Sequence, residues 1–166
     1  MNNKQKKLIE ELMLSLISKN QFISLFHDNN KIDESFFLSN LKEIYESKNG
    51  EDFEYLLFLG FSFNLFDESQ VVIFNKALLE DWHQKHEDVA MILKKLHCPQ
   101  SIEYLYEAIF KNYQYLEYDE SHAFEVKCIW AIGSIKTNTA KEKLEKISQL
   151  EIPEIREAAK QQLLKL

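Results

Sequence analysis

The sequence is poor in glycine and proline, with only 3 glycines and 2 prolines in 166 residues. β-Sandwiches and β-barrels need many turns that contain these residues, so the scarcity argues against an all-β fold. Apolar residues nevertheless make up 45% of the chain, and 12 phenylalanines and 7 tyrosines can fill a core. Because a chain of this length and composition can offset its conformational entropy by burial, we expect one folded, all-helical domain.

Long hydrophobic runs are also missing, since no apolar stretch approaches the roughly 20 residues that a membrane span requires. The basic N-terminal residues precede an apolar stretch that Glu10, Glu11 and Ser15 interrupt, so no signal peptide is expected. Cys98 and Cys128 lie in helical patterns and are interpreted as small buried side chains in a reducing compartment. We therefore expect a cytoplasmic protein without a membrane partner.

Positive charge is scarce, with 20 basic against 27 acidic residues and a net charge of -7. A negative field repels phosphate backbones, so nucleic acid is not expected as a direct ligand. The acidity is local: residues 51–126 carry 15 acids and 5 bases, whereas residues 127–166 carry 5 acids and 8 bases. Any partner of the acidic region is therefore expected to be basic.

Apolar residues recur at helical spacing along the N-terminal part of the chain. One helix is predicted over residues 8–19, a shorter one over residues 21–27, and a turn at Asn29 and Asn30. Asp33 is predicted to cap the next helix, which runs to about Ser47. Asn49 and Gly50 are expected to end that helix through a left-handed residue.

Two further apolar patterns follow. The run from Asp52 to Phe66 predicts a buried central helix weakened at Gly60, with a strand over residues 58–63 as the alternative. Apolar residues then step by three or four from Val71 to Trp82, which predicts a helix over residues 68–83.

The C-terminal part contains an internal repeat. Residues 89–96 align with residues 128–135, which lie 39 positions later, and each segment precedes a short loop and a second helix. A third unit begins at Pro153. The arrangement resembles HEAT repeats of the PBS-lyase-like form, and the segments that carry the resemblance are Ala131-Ile132-Gly133-Ser134-Ile135, Lys136-Thr137-Asn138-Thr139-Ala140 and Ile155-Arg156-Glu157-Ala158-Ala159.

The HEAT resemblance implies an all-α fold in which antiparallel helix pairs stack into a right-handed α-solenoid. We expect a single domain over residues 1–166, with divergent helices in residues 1–66 and HEAT-like repeats in residues 67–166. Such scaffolds mostly bind other proteins. The sequence does not indicate an oligomeric state.

Enzymatic chemistry has no strong candidate in this sequence. His83 and His86 are spaced to share a helix face near Glu87, which would suit a metal, but a loop between two helices is the favoured interpretation. Adjacent His97 and Cys98 do not point at each other, so a nucleophile with its base is not expected. We predict no catalytic residue, no metal and no cofactor, and a metal-dependent enzyme would have to contain stoichiometric metal.

The segment from Glu103 to Glu125 contains five of the seven tyrosines together with many carboxylates. Tyrosines mixed with carboxylates on a loop favour a protein-binding surface for a basic partner, and a merely solvated surface is the alternative. The predicted partner-binding residues are Asp81, Glu87, Asp88, Tyr113, Tyr115, Glu117, Tyr118, Asp119 and Glu120.

Four short strings carry a more specific resemblance, namely residues 80–83, 86–88, 115–120 and 127–133. Together they resemble small HEAT-repeat immunity proteins of bacterial polymorphic and contact-dependent inhibition toxin systems. The resemblance implies a cytoplasmic protein that binds a cognate toxin domain, often a cationic nuclease, and blocks its active site. The alternative is a generic HEAT scaffold that joins host proteins and has no toxin partner.

Overall fold

The computed structural model describes residues 1–26 and 32–166, so the predicted turn at Asn29 and Asn30 lies outside the described residues. The described residues form helices and no strand, which confirms the all-helical prediction for this part of the chain. None of these helices is both long and apolar enough to cross a bilayer. The chain divides into two compact units, an N-terminal unit (Met1–Gln70) and a C-terminal unit (Val71–Leu166).

The N-terminal unit contains α1 (Asn3–Met13), α2 (Lys19–Phe26), α3 (Glu34–Ser47) and α4 (Gly50–Phe63). The C-terminal unit contains α5 (Val71–Ala77), α6 (His86–Leu96), α7 (Ile102–Phe110), α8 (Ala123–Ile135), α9 (Asn138–Ile147) and α10 (Pro153–Leu163). Short 3₁₀ turns precede α5 and α7, and a third lies between α7 and α8.

Side-chain caps fix where several helices begin. Asp33 caps α3 as predicted, because its side chain accepts the backbone N–H of Phe36. The predicted end of α3 was wrong in detail: Lys48 adopts the left-handed conformation with φ of 50°, and Asn49 instead caps α4. With so few glycines, the chain ends this helix at a lysine and α4 at Asn64, which has φ of 58°.

The core of the N-terminal unit forms where α4 packs against α1 and α3. Residues 58–63 belong to α4, so the alternative strand is wrong. Gly60 is fully surrounded: a Cβ atom there would lie 2.5 Å from the ring of Phe66 and 2.7 Å from that of Phe37. A glycine at this position therefore lets two aromatic rings contact the backbone of α4.

The C-terminal unit is built from two sets of helices that each pack in succession. In one set α6 packs on α8 and α8 on α10, and in the other α5 contacts α7 and α7 contacts α9. Gly133 allows the close approach of α8 to α10, because a Cβ atom there would lie 2.7–2.8 Å from the side chain of Gln162. The fully buried side chains of this unit include Phe74, Val89, Ile92, Leu105, Cys128, Ile132, Leu144 and Ala159.

A spacing of 40 residues recurs in the contacts between these helices. Lys127 pairs with Glu87, the hydroxyl of Ser134 donates to the carbonyl of Lys94 at 3.2 Å, and Lys143 binds Glu103 at 2.7 Å. Because two of these pairs join α6 to α8, the two helices run in the same direction and in register. The contact spacing is one residue longer than the offset of 39 in the sequence alignment.

Two predicted helices differ from the observed ones. The predicted helix over residues 8–19 ends at Met13, and Ser15 takes a left-handed conformation with φ of 56°. The predicted helix over residues 68–83 is a 3₁₀ turn followed by α5, which ends at Ala77. Just after this end, the carbonyls of Leu78 and Leu79 accept hydrogen bonds from Tyr113 and Lys111 of a distant connection.

Candidate functional site

The candidate site lies in the C-terminal unit, where the connection between α7 and α8 (residues 111–122) meets the end of α5. Residues 77–80 present four consecutive backbone carbonyls at and just after that end, and the carbonyl of Ala77 also accepts the backbone N–H of Glu80 at 3.0 Å. Each of the four accepts a side-chain hydrogen bond. The donors to carbonyls 77, 78, 79 and 80 are, in order, His83 Nε2 at 2.9 Å, the Tyr113 hydroxyl at 2.6 Å, Lys111 Nζ, and His86 Nε2 at 2.8 Å.

Tyr113 was predicted to bind a partner, and the structure contradicts this assignment. Its side chain is 3% exposed, and its ring lies 4.0 Å from that of His86 and 5.3 Å from that of Phe124. Burial raises the pKa of the Tyr113 hydroxyl, which stays protonated as the donor to Leu78. Tyr113 is therefore a structural residue that fixes the start of the connection.

His83 and His86 stack with ring centroids 4.3 Å apart, and both are buried. Nε2 of each ring faces a carbonyl oxygen, which can only accept, so Nε2 carries the proton. The Nδ1 atom of His83 accepts the backbone N–H of Lys85 at 3.1 Å. Burial, and then the charge of His86, lowers the pKa of His83 to about 4, and burial also lowers the pKa of His86.

Both nitrogens of each imidazole are thus committed to hydrogen bonds within the protein. Within residues 1–26 and 32–166, no group of three His, Cys, Asp or Glu side chains converges to hold a metal. His83 and His86 thus form a buried neutral cluster that links the connection after α5 to the connection after α7. Neither ring has a nitrogen lone pair left for a metal ion.

Tyr115 joins this buried cluster to the surface. Its hydroxyl donates to Nδ1 of His86 at 2.9 Å, and its ring lies nearly parallel to the imidazole with centroids 5.5 Å apart. The residue is 37% exposed, and burial raises the pKa of its hydroxyl to about 12, with smaller contributions from Glu87 and Asp88. Tyr115 therefore lies near two of the predicted carboxylates and keeps part of its ring accessible.

An open cleft of about 530 Å³ lies over this cluster. Its lining residues are Asp81, His83, Gln84, His86, Asn112, Tyr113, Gln114 and Tyr115. The amide side chains of Gln84, Asn112 and Gln114 are exposed at its rim. The cleft is polar and open, which suits contact with side chains of another protein better than enclosure of an apolar small molecule.

The remaining predicted residues of the connection differ in exposure. Tyr118 is 89% exposed, and Glu117 and Glu120 are exposed as well. Asp119 is half-buried because its carboxylate accepts the backbone N–H and the hydroxyl of Ser121, and these hydrogen bonds lower its pKa. Glu117, Tyr118 and Glu120 can thus contact a partner, whereas Asp119 shapes the turn that carries them.

The three predicted carboxylates outside the connection are partly neutralised. Asp81 lies 3.1 Å from Nζ of Lys111, although its side chain is 72% exposed. Glu87 pairs with Lys127, and Asp88 is half-buried in the first turn of α6. Their contribution to a field that attracts a basic partner is therefore smaller than the sequence predicts.

Sequence reasoning missed Lys111 and assigned no role to the two histidines in holding the connection. The sequence offers one indirect sign of the role of Lys111, which is the single base in the acidic segment from Glu103 to Glu125. In the structure its ammonium group binds the carbonyl of Leu79 just after α5, and cations are favoured near the C-terminal end of a helix. Cys98 and Cys128 are buried and free, as predicted, but only Cys128 lies in a helix, because Cys98 falls between α6 and the 3₁₀ turn before α7. His97 Nδ1 donates to the carbonyl of Ser134 at 3.1 Å and so is engaged away from the neighbouring thiol.

Comparison with known proteins gives no match: no protein-family model, no curated protein and no solved structure is similar to this chain. The HEAT and immunity-protein resemblances therefore remain proposals.

Proposed function

We propose that the C-terminal unit is a short right-handed α-solenoid of HEAT type, built from antiparallel helix pairs. Successive packing of α6, α8 and α10, and of α7 on α9, supports this arrangement. The spacing of 40 residues between contacting positions agrees with the period of HEAT repeats, which is about 40–47 residues. The connection over residues 111–122 then joins two repeats at one end of the stack.

We further propose that the protein is a cytoplasmic immunity protein that binds a basic toxin domain of the nuclease class and blocks its active site. One observation carries the proposal: Glu117, Tyr118 and Glu120 are exposed together on a connection whose start is fixed to the protein core. An anchored connection presents these side chains with little ordering cost on binding. No catalytic step is required.

The chemistry of the exposed residues matches a cationic partner. Glu117 and Glu120 can pair with Lys and Arg side chains that otherwise hold nucleic acid, and such pairs increase the rate of association. Tyr118 supplies a large amphipathic side chain, and tyrosine is frequent among residues that dominate binding energy. The polar cleft beside Tyr115 extends the contact surface toward Asp81.

A scaffold that joins two host proteins is the second candidate, and a separate observation favours it. The turn after α1 exposes Leu14 at 71% and Leu16 at 68%, next to a hollow of about 410 Å³ lined partly by Glu10 and Glu54. Exposed apolar side chains that lie close together form the kind of patch that marks protein-binding surfaces. A scaffold would use this surface in addition to the acidic connection.

The test is binding to the product of the neighbouring gene, measured with the double variant Glu117→Lys and Glu120→Lys. We expect at least about tenfold weaker binding, mainly through slower association. The matched control is Glu142→Lys with Glu145→Lys, which makes the same charge change at exposed positions of α9. Equal effects of the two double variants would contradict the proposed surface, and the absence of binding by the wild type would contradict the immunity function.

A further inference from the structure

The connection over residues 111–122 is held in two different ways. Its first part is tied to other elements through Lys111, Tyr113 and Tyr115. Its second part has local hydrogen bonds: the backbone N–H of Asp119 donates to the carbonyl of Leu116, and Ser121 donates to Asp119. Before residue 116, the last contact that links the connection to another element is the hydrogen bond of Tyr115 to His86. After residue 121 the chain enters α8, where Phe124 is buried.

The contact between Tyr115 and His86 depends on one specific hydrogen bond. His86 uses Nε2–H on the carbonyl of Glu80, so the neutral ring has one acceptor, Nδ1, and the Tyr115 hydroxyl fills it at 2.9 Å. The near-parallel rings add contact area, and Tyr115 covers an imidazole that is 0% exposed. A phenylalanine at position 115 would keep the ring contact and lose only the hydrogen bond.

We infer that His86 and Tyr115 are positioning residues for partner binding: their hydrogen bond holds residues 116–121 in the conformation that presents Glu117, Tyr118 and Glu120. The inference rests on the proposed function for its biological role. The physical part concerns the protein alone and is testable without a partner.

The groups around His86 make the conformation of residues 116–121 dependent on pH. The groups that face it are Asp81 and His83 from the connection after α5, Lys111, Tyr113 and Tyr115 from the connection after α7, and Phe124 from α8. The one carboxylate in this set, Asp81, already pairs with Lys111. A proton on His86 would thus place a charge in a buried site that contains another cation and a second imidazole.

A protonated His86 can still donate to the Tyr115 oxygen, so protonation costs energy through the buried charge and not through the lost acceptor. The charged ring gains hydration only when Tyr115 moves away from it. Protonation therefore favours the open form of the connection, in which His86 titrates near the ordinary value of about 6.5. The equilibrium constant for opening is therefore expected to increase between pH 7 and pH 5.5, by at most about tenfold.

The experiment is amide hydrogen exchange of residues 116–121, corrected for intrinsic rates, between pH 5 and pH 7. Tyr115→Phe removes one hydrogen bond. We therefore expect the equilibrium constant for opening of the connection to increase about two- to tenfold at pH 7. Tyr118→Phe removes a hydroxyl from the same connection at a position that is 89% exposed, and it should leave exchange unchanged. In His86→Gln the dependence on pH should decrease, and any dependence that remains is assigned to His83.

A flat pH profile in the wild type would overturn the inference, as would unchanged exchange in Tyr115→Phe or an increase spread evenly over the C-terminal unit. Should His86→Gln fail to fold, the wild-type profile and the two tyrosine variants still decide the question. If exchange behaves as expected but no partner binds, the positioning stands and the proposed function fails. If a partner binds equally well to Tyr115→Phe, only the binding role of the pair is contradicted.

Discussion

Tyr113 and Tyr118 lie five residues apart in one connection, yet their side chains are 3% and 89% exposed. The difference follows from hydrogen bonding, because the Tyr113 hydroxyl meets the unpaired carbonyl of Leu78 at the end of α5. A tyrosine can be buried when its hydroxyl finds such a partner. The sequence shows two amphipathic tyrosines in a polar segment and contains nothing local that separates them.

At Tyr113, replacement by phenylalanine is expected to lower the free energy of unfolding by about 1–3 kcal/mol, because the buried Leu78 carbonyl loses its donor. The measurement is urea unfolding followed by the fluorescence of Trp82 and Trp130, which both lie in the C-terminal unit. Tyr118→Phe is the control and should change the stability by less than about 0.5 kcal/mol. Equal losses in the two variants would show that the hydrogen bond is not the cause.

At Gly60, substitution by alanine is expected to destabilise the protein by about 1–3 kcal/mol, although alanine favours helix formation elsewhere. The added Cβ atom would meet ring atoms of Phe66 and Phe37 at 2.5–2.7 Å. Thermal unfolding of Gly60→Ala measures the effect. The double variant Gly60→Ala with Phe66→Leu removes the closest ring and should be less than additive, so full additivity would argue against the steric explanation.

At the scale of helices, the sequence predicts where helices lie better than where they end. Caps that depend on neighbouring residues were predictable, such as Asp33 before α3 and Pro153 at the start of α10. The end of α5 was not, because the carbonyls just after it, those of Leu78 and Leu79, accept hydrogen bonds from side chains more than thirty residues away in sequence, Tyr113 and Lys111. The candidate site shares this limit, since burial in the connection is decided by tertiary partners.

The cluster at the end of α5 predicts how stability depends on pH. The pKa of His83 falls from about 6.5 in the unfolded chain to about 4 in the folded one, because the buried site favours the neutral ring. Below pH 6.5 the unfolded chain binds more protons, so stability is complete above pH 6.5 and is lost as pH falls toward 4. The expected slope is up to about 1.4 kcal/mol per pH unit for this imidazole.

Urea unfolding of the C-terminal unit between pH 5 and pH 7.5 checks this slope in a range where ordinary carboxylates stay ionised. His83→Gln should reduce the slope, since glutamine keeps an N–H donor for the carbonyl of Ala77 and does not titrate. A slope that survives in His83→Gln at its wild-type size would assign the pH dependence to other groups.

At the scale of the whole molecule, charge is distributed unevenly along the chain. Residues 51–126 carry a net charge of -10 and residues 127–166 a net charge of +3, although the total is only -7. Ion pairs such as Glu87 with Lys127 and Glu103 with Lys143 join the two regions and neutralise part of this excess. The exposed carboxylates of the connection, Glu117 and Glu120, contribute to the field that a partner meets.

This charge distribution predicts that the rate of association with a cationic partner depends strongly on salt. Raising the ionic strength from about 0.05 to 0.5 M shortens the screening length from more than 10 Å to less than 5 Å, so we expect association to slow at least about tenfold. Dissociation should change much less, because close contacts such as those of Tyr118 are screened weakly. Stopped-flow binding measures both rates, and Glu117→Lys with Glu120→Lys should flatten the salt dependence of association. If salt changed only the rate of dissociation, the charges that affect binding would lie inside the interface. That result would contradict long-range attraction by the carboxylates of the connection.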